Sequence, residues 1–483
     1  MTEQNQGPDQ VPEEFRLGPG TTGRYVIVTA PAQRVEDAQQ GLTTLSDVAG
    51  VSPDEASEAG EVDPEALTNP EATVDFPDLG LLVAGGIDRE RADHIAAAVD
   101  DPENPLQAIV PERIYRALQE GPTDEEWGGA QQRPFGEEPV TEGPTPEQLG
   151  APGAQFSREF LEGYRAAVQN LLEKLAAADL PSLAAEVAPT ALFDESQLSW
   201  GLQATKAGTS QFSGRGIRVA VLDTGLDLGH PDFAGRNIVS QSFVPNQPVQ
   251  DGAGHGTHCI GTACGPRVPF KSGGGSPPSY GCASNCNIFA GKVLSNQGSG
   301  ATAGIIAGMQ WAISNGCQII SMSLGRTIRL DERRFNPAYE QVARVGLQRG
   351  TLIIAAAGND SARLGRIHPV GEPANSPSIL AVGALDESLR PASFSNGEHF
   401  PPHGAVDIAG PGVNVYSSFP RPVLYRRLNG TSMATPHVAG VAALWAEANG
   451  IFRGVALARQ LLRSARRLPL PPRDVGAGLV QAP

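Results

Sequence analysis

Residues 430–440, GTSMATPHVAG, constrain this chain more than any other stretch. A glycine turn runs there into small apolar residues at helical spacing. That puts the hydroxyl of Ser432 at or near a helix N-terminus, where free N–H groups and the helix dipole favour developing negative charge. Gly430, Ala434, Ala439 and Gly440 leave room for other backbone to approach closely. Taken alone, a Gly-Thr-Ser reads equally well as a helix cap with a hydroxyl acceptor. Two upstream segments decide against that reading.

The first is Asp223, which ends the apolar run Val219-Ala220-Val221-Leu222 and opens Asp-Thr-Gly. An acid there commonly holds another group in a cleft, though an Asp turning a chain after a strand is as common. The second is Gly254-His255-Gly256-Thr257-His258-Cys259, a histidine between glycines at a helix start. Asp, His and Ser in this order, each in its own glycine-marked setting, say more than any one of them.

The rest of the chain falls into regions around this set. Residues 1–22 read as a flexible tail. In 23–118, strands at 24–30, 79–84 and 106–114 alternate with helical spacing at 35–45 and 89–99, which predicts a small α+β domain. One strand is unaccounted for, within the acidic insertion 46–76. Residues 119–155 form an acidic Pro/Gly linker. Residues 156–198 hold an amphipathic helix over 156–180 and a connector. From 199 to 483, short apolar strands at 217–222, 288–293, 319–323, 352–356 and 379–382 alternate with small-residue helices such as 302–314 and 435–448. That pattern predicts an α/β, doubly wound parallel sheet with its site at the strand C-terminal ends.

Charge is unevenly shared: 31 acidic and eight basic residues in 1–150 give −23, against −17 for the whole chain and so +6 for the remainder. The two parts are suited to attract each other. With no Lys/Arg run, nucleic acid is excluded as the expected partner. No apolar run has membrane-spanning length, and the N-terminus lacks a secretory pattern, so a cytoplasmic location with five reduced cysteines is expected.

From about residue 199 to 480 the chain is similar to subtilisin-family serine peptidases. Asp223-Thr224-Gly225, His255-Gly256-Thr257-His258 and Gly430-Thr431-Ser432-Met433-Ala434 match the three active-site signatures, and Ala355-Ala356-Ala357-Gly358-Asn359 matches the oxyanion segment. The resemblance implies an endopeptidase in which Ser432 attacks, His255 shuttles the proton, Asp223 orients the ring and Asn359 meets the oxyanion. It implies that Gly298-Ser299-Gly300 and Ser323-Leu324-Gly325 sandwich an extended peptide. Leu324, Ala356, Gly358 and Gly371 would line an apolar first pocket, while Glu372 near its floor offers a basic residue as the other choice. His258 and His437 read as packing residues, and Cys259 as a small buried apolar residue.

No cofactor is expected. The resemblance allows a calcium ion, but no Asp or Glu lies between Asp251 and Asp331, and a hard cation needs carboxylates. Asp232 matches one calcium ligand without partners, and Cys264, Cys282 and Cys286 are close enough in sequence to bond in oxidising surroundings. Residues 24–118 resemble the inhibitory propeptide of the family. On that reading Tyr115, Arg116, Ala117 and Leu118 fill the cleft, self-cleavage follows Leu118, and the front domain is an intramolecular inhibitor. The alternative function is a dedicated maturation protease for one peptide or protein partner.

Overall fold

The computed structural model describes residues 20–29, 57–58, 63–99, 106–118, 193–268, 277–329, 332, 334–363, 365–397 and 404–483. The helix expected at 35–45, the linker 119–155 and the helix expected at 156–180 lie outside these residues.

In the front part, β1 (Thr21–Thr29) sits between β4 (Leu81–Ala84) and β5 (Leu106–Ala117), antiparallel to both. The missing strand is β3 (Val74–Phe76), which pairs with β4 and with the two-residue β2 (Ser57–Glu58). Alternation along β1 sends Tyr25 and Ile27 to one face, where they meet Ile95 and Ala92 of α1 (Arg89–Val99). Val26 and Val28 go to the other face. There they join one apolar cluster with α3 (Thr302–Ser314) and α4 (Pro337–Gln348) of the C-terminal part.

That C-terminal part is an α/β fold on a seven-stranded parallel sheet. Its order is β14-β13-β12-β10-β6-β8-β7, with β6 (Arg218–Asp223), β7 (Ile238–Ser242), β8 (Asn287–Lys292), β10 (Ile319–Met322), β12 (Leu352–Ala356), β13 (Leu380–Leu385) and β14 (Ile408–Pro411). Strands buried on both faces need helices on both. Val219 and Val221 pack towards α2 (His255–Cys264) and α5 (Thr431–Ala448), whereas Ala220 and Leu222 pack towards α3. Helix α5 starts at Thr431 rather than at 435, so Ser432 lies in its first turn. Among the described residues, no helix is long and apolar enough to cross a membrane.

Candidate active site

Three chain ends meet at the C-terminal edge of the sheet. Asp223 is the last residue of β6, and its Oδ1 accepts the N–H of Thr224 and Nδ1–H of His255, each at 2.7 Å. His255 is the first residue of α2. Its position is set by Asp251, a buried carboxylate that accepts N–H groups of Gly254 and Thr257 at 2.8 Å, the Thr257 hydroxyl at 2.7 Å and the Thr224 hydroxyl at 2.9 Å. One side chain thus caps α2 and ties it to the turn after β6. Gly256 is required there, because a Cβ would lie 2.3 Å from the Gly225 carbonyl oxygen.

His255 is fully buried. Burial disfavours the charged ring, but the charge and hydrogen bond of Asp223, with Cys259 adding to them, outweigh it and hold the imidazole well above the ordinary histidine range. Cys259, pushed up by its own burial, is a neutral thiol, so Asp223 supplies the charge. Its Sγ lies 3.9 Å from His255 Nδ1 and 3.5 Å from the Ser432 carbonyl oxygen. His255 Nε2 makes no hydrogen bond among the described residues. The Ser432 hydroxyl donates instead to the Ser323 carbonyl at 3.1 Å.

Asn359 follows β12 through Gly358, whose φ of +112° lies in the left-handed region. Its Oδ1 accepts both the N–H and the hydroxyl of Thr431, at 2.9 and 2.7 Å. That fixes the amide orientation and leaves Nδ2 buried with no acceptor among the described residues. A buried donor without an acceptor is suited to an oxygen that gains charge beside Ser432.

Strand β5 runs into a slot between β9 (Ser299–Ala301) and β11 (Leu324–Gly325), antiparallel to both. Tyr115 faces Gly300, Arg116 lies between Ser299 and Gly325, and Ala117 faces Leu324. The Ala117 N–H donates to Gly298 at 2.9 Å and the Leu118 N–H donates to Ser323 at 3.3 Å. Leu118 and Ser432 therefore share one acceptor. Leu118 also abuts Gly325, where a Cβ would lie 2.9 Å from its Cδ1. Ala356 ends β12, and the Gly371 N–H donates to the Ala357 carbonyl at 2.8 Å.

The Glu372 carboxylate accepts the hydroxyl of Tyr115, three residues before Leu118. A carboxylate that is 2 % exposed needs donors, and Asn336 Nδ2 at 2.7 Å and Arg326 Nε at 2.8 Å draw it there.

His258 and His437 are buried and neutral, lowered by desolvation to about 3 and about 4, with ring nitrogens on backbone carbonyls. All five cysteines are free and buried. The residues around Asp232 do not fit a calcium ion: its carboxylate accepts the phenols of Tyr280 at 2.5 Å and Tyr425 at 3.1 Å. Among the described residues the one close cluster of metal-ligating types is Asp223, His255 and Cys259, whose hydrogen bond occupies it.

Sequence reasoning missed Asp251, Thr431, Asn336 and Arg326. An acid four residues before His255, at the entrance to a helix, was a readable capping signal for Asp251. Nothing local marked Arg326.

A family model described as the subtilase family matches residues 214–478. An alkaline protease of Alkalihalobacillus alcalophilus is 39% identical over 288 residues, covering 59% of this chain and 68% of that protein. Subtilisin Savinase of Lederbergia lenta is 38% identical over 288 residues, covering 59% of this chain and 96% of that protein. Subtilisin E of Bacillus subtilis (strain 168) is 40% identical over 235 residues, covering 48% and 56%.

Proposed function

The chain belongs to the subtilase family and is a serine endopeptidase acting on peptide or protein substrates, and on that premise we propose that it is made as a zymogen which removes its own front domain by cutting after Leu118. The observation that carries this reading is the common acceptor: the Ser323 carbonyl takes the Leu118 N–H and the Ser432 hydroxyl together. A chain segment seated by that N–H in an antiparallel slot has its following carbonyl beside the nucleophile.

In the reaction, the Ser432 hydroxyl turns from Ser323 to His255 Nε2, gives up its proton there and attacks the carbonyl carbon of Leu118. Asp223 keeps Nδ1 protonated and stabilises the imidazolium. The tetrahedral oxygen takes its hydrogen bonds from Asn359 Nδ2 and the Ser432 N–H at the start of α5. The imidazolium then protonates the leaving amine, and water releases the acyl group by the reverse sequence. Residues 23–118 stay bound as an inhibitor through the strand pairing and through Val26 and Val28 against α3 and α4.

The parent chain and Ser432→Ala, purified alike, test this by N-terminal sequencing. The parent should begin at Gln119 and the variant at its original N-terminus. A parent that keeps its full-length mass, differing from the variant only by the serine oxygen, would overturn it, and a fluorophosphonate probe should label the parent alone.

A further inference from the structure

We propose that the cleft holds a subsite selective for tyrosine, formed by Glu372, Asn336 and Arg326, which reads the fourth residue back from the scissile bond. The proposal rests on the reading of Leu118 as the residue before the cut. Counting back gives Tyr115, whose side chain is fully buried.

The phenol donates to Glu372 Oε1, and Asn336 Nδ2 donates to that same oxygen at 2.7 Å. Glu372 Oε2 is taken by Arg326, with Nε at 2.8 Å. Arg326 is shared with Glu332, so the guanidinium is matched by carboxylates on two sides. The frame is also tied through backbone: the Arg326 N–H donates to the Glu372 carbonyl at 2.9 Å, and the Glu372 N–H donates back at 3.2 Å. The ring of Tyr115 stands edge-on to Tyr339 with centroids 5.3 Å apart. Burial first, and the neighbouring Glu372 charge next, push the Tyr115 phenol well up, so it is a donor at any working pH.

This arrangement separates tyrosine from phenylalanine. Both rings fill the apolar walls, but phenylalanine leaves Glu372 Oε1 short of one donor in a site without water access. A hydrogen bond to a buried charge is worth enough to give about a 10–100-fold preference. The usual upper range for a site built around a substrate hydroxyl is larger, but Asn336 still serves Oε1 when the phenol is gone. Arg116, by contrast, is exposed.

The test uses the full chain after processing, diluted until the bound front domain leaves the cleft, and quenched peptides carrying X-Arg-Ala-Leu before the cut, with X as tyrosine, phenylalanine or O-methyltyrosine. The expected kcat/KM favours tyrosine over phenylalanine by about 10–100-fold, with O-methyltyrosine at or below phenylalanine. In Glu372→Leu the tyrosine-to-phenylalanine ratio should fall to near one. A ratio between two peptides on one preparation does not depend on how much of the variant folds, and Asn336→Leu supplies a second route to a changed ratio. Equal hydrolysis of the tyrosine and phenylalanine peptides by the parent, or an unchanged ratio in Glu372→Leu, overturns the subsite and leaves self-processing standing. A Ser432→Ala chain that still gains the new N-terminus overturns the self-processing reading instead.

Discussion

Ser323 and Ser432 exchange hydrogen bonds: the Ser323 hydroxyl donates to the Ser432 carbonyl at 2.8 Å, and the Ser432 hydroxyl donates to the Ser323 carbonyl at 3.1 Å. The first of these is open because of Pro436. In a regular helix the Ser432 carbonyl would accept the N–H four residues on, and proline has none. A residue that looks like a fault in α5 thus releases a carbonyl for a neighbour whose own carbonyl also accepts the Leu118 N–H. The same pair holds the nucleophile close to the chain it would cut.

Ser323→Ala should therefore loosen the nucleophile without unmaking the fold. It leaves the buried Ser432 carbonyl with the weak Cys259 thiol, at 3.5 Å, as its remaining donor. The expected cost is about 1–3 kcal/mol in denaturant unfolding, with self-processing slowed roughly tenfold through poorer alignment. Unchanged values of both would show that the exchange has no role.

Asn359→Leu keeps the side-chain size and removes Nδ2, the donor with no acceptor of its own. Because the loss falls on the transition state, kcat should drop by about 10²–10³, with KM little altered. Thr431 would lose its Oδ1 acceptor as well. Thr431→Val in the same assay separates the two effects, since it disturbs the amide orientation while keeping Nδ2. It should cost less than Asn359→Leu.

The raised His255 fixes the sign of the pH dependence. Catalysis needs the neutral ring, so kcat/KM should be lost as pH falls through the folded-state value, which lies above the ordinary figure of about 6.5. Stability runs the other way. The charged ring on Asp223 stabilises the fold fully below about 6.5, and that contribution fades as pH rises through the folded value. A pH–rate profile on the processed chain should break on the alkaline side of 6.5, and a break below it would remove the case for a charge-raising Asp223. Asp223→Asn should lower the break and reduce kcat by about 10⁴.

How much of this was legible follows from what each part depends on. Strand β12 and helix α3 match the residues read from pattern alone, because an unbroken apolar run and a small-residue helix state their class locally. Strand β7, Ile238–Ser242, was not read: it is a partly exposed edge strand in which two apolar residues are followed by three polar ones, so it shows neither an apolar run nor an alternation. Helix α4 was missed although Asn336 caps it and Pro337 starts it, since Asn-Pro reads equally as a turn. The residues carrying chemistry stood in glycine-marked motifs and could be named. The partners of Glu372 could not be named, because Arg326 and Asn336 are 46 and 36 positions away. Pairings of that kind have no local signature.

Glu112 gives the last prediction, on what holds the front domain in place. Its carboxylate is fully buried and accepts Arg24 Nε at 2.6 Å and Arg24 Nη2 at 3.0 Å. The same group accepts the Ala303 N–H at 2.8 Å, in the first turn of α3, where negative charge is favoured. Arg24 is satisfied further by the carbonyls of Ala66 and Asn69, at 3.0 and 3.2 Å. Glu112→Met would strand a buried guanidinium and an orphan helix N–H together, at about 3–5 kcal/mol. The pair could instead be replaced as a unit, since apolar residues of similar volume can equal a buried ion pair. Arg24→Met with Glu112→Met should therefore cost less than the sum of the single changes, by about 1–3 kcal/mol in a double-mutant cycle. The measurement is urea unfolding of the full chain carrying Ser432→Ala, so that processing does not intervene. Strict additivity would mean that Glu112 acts on α3 alone and that Arg24 is incidental to docking.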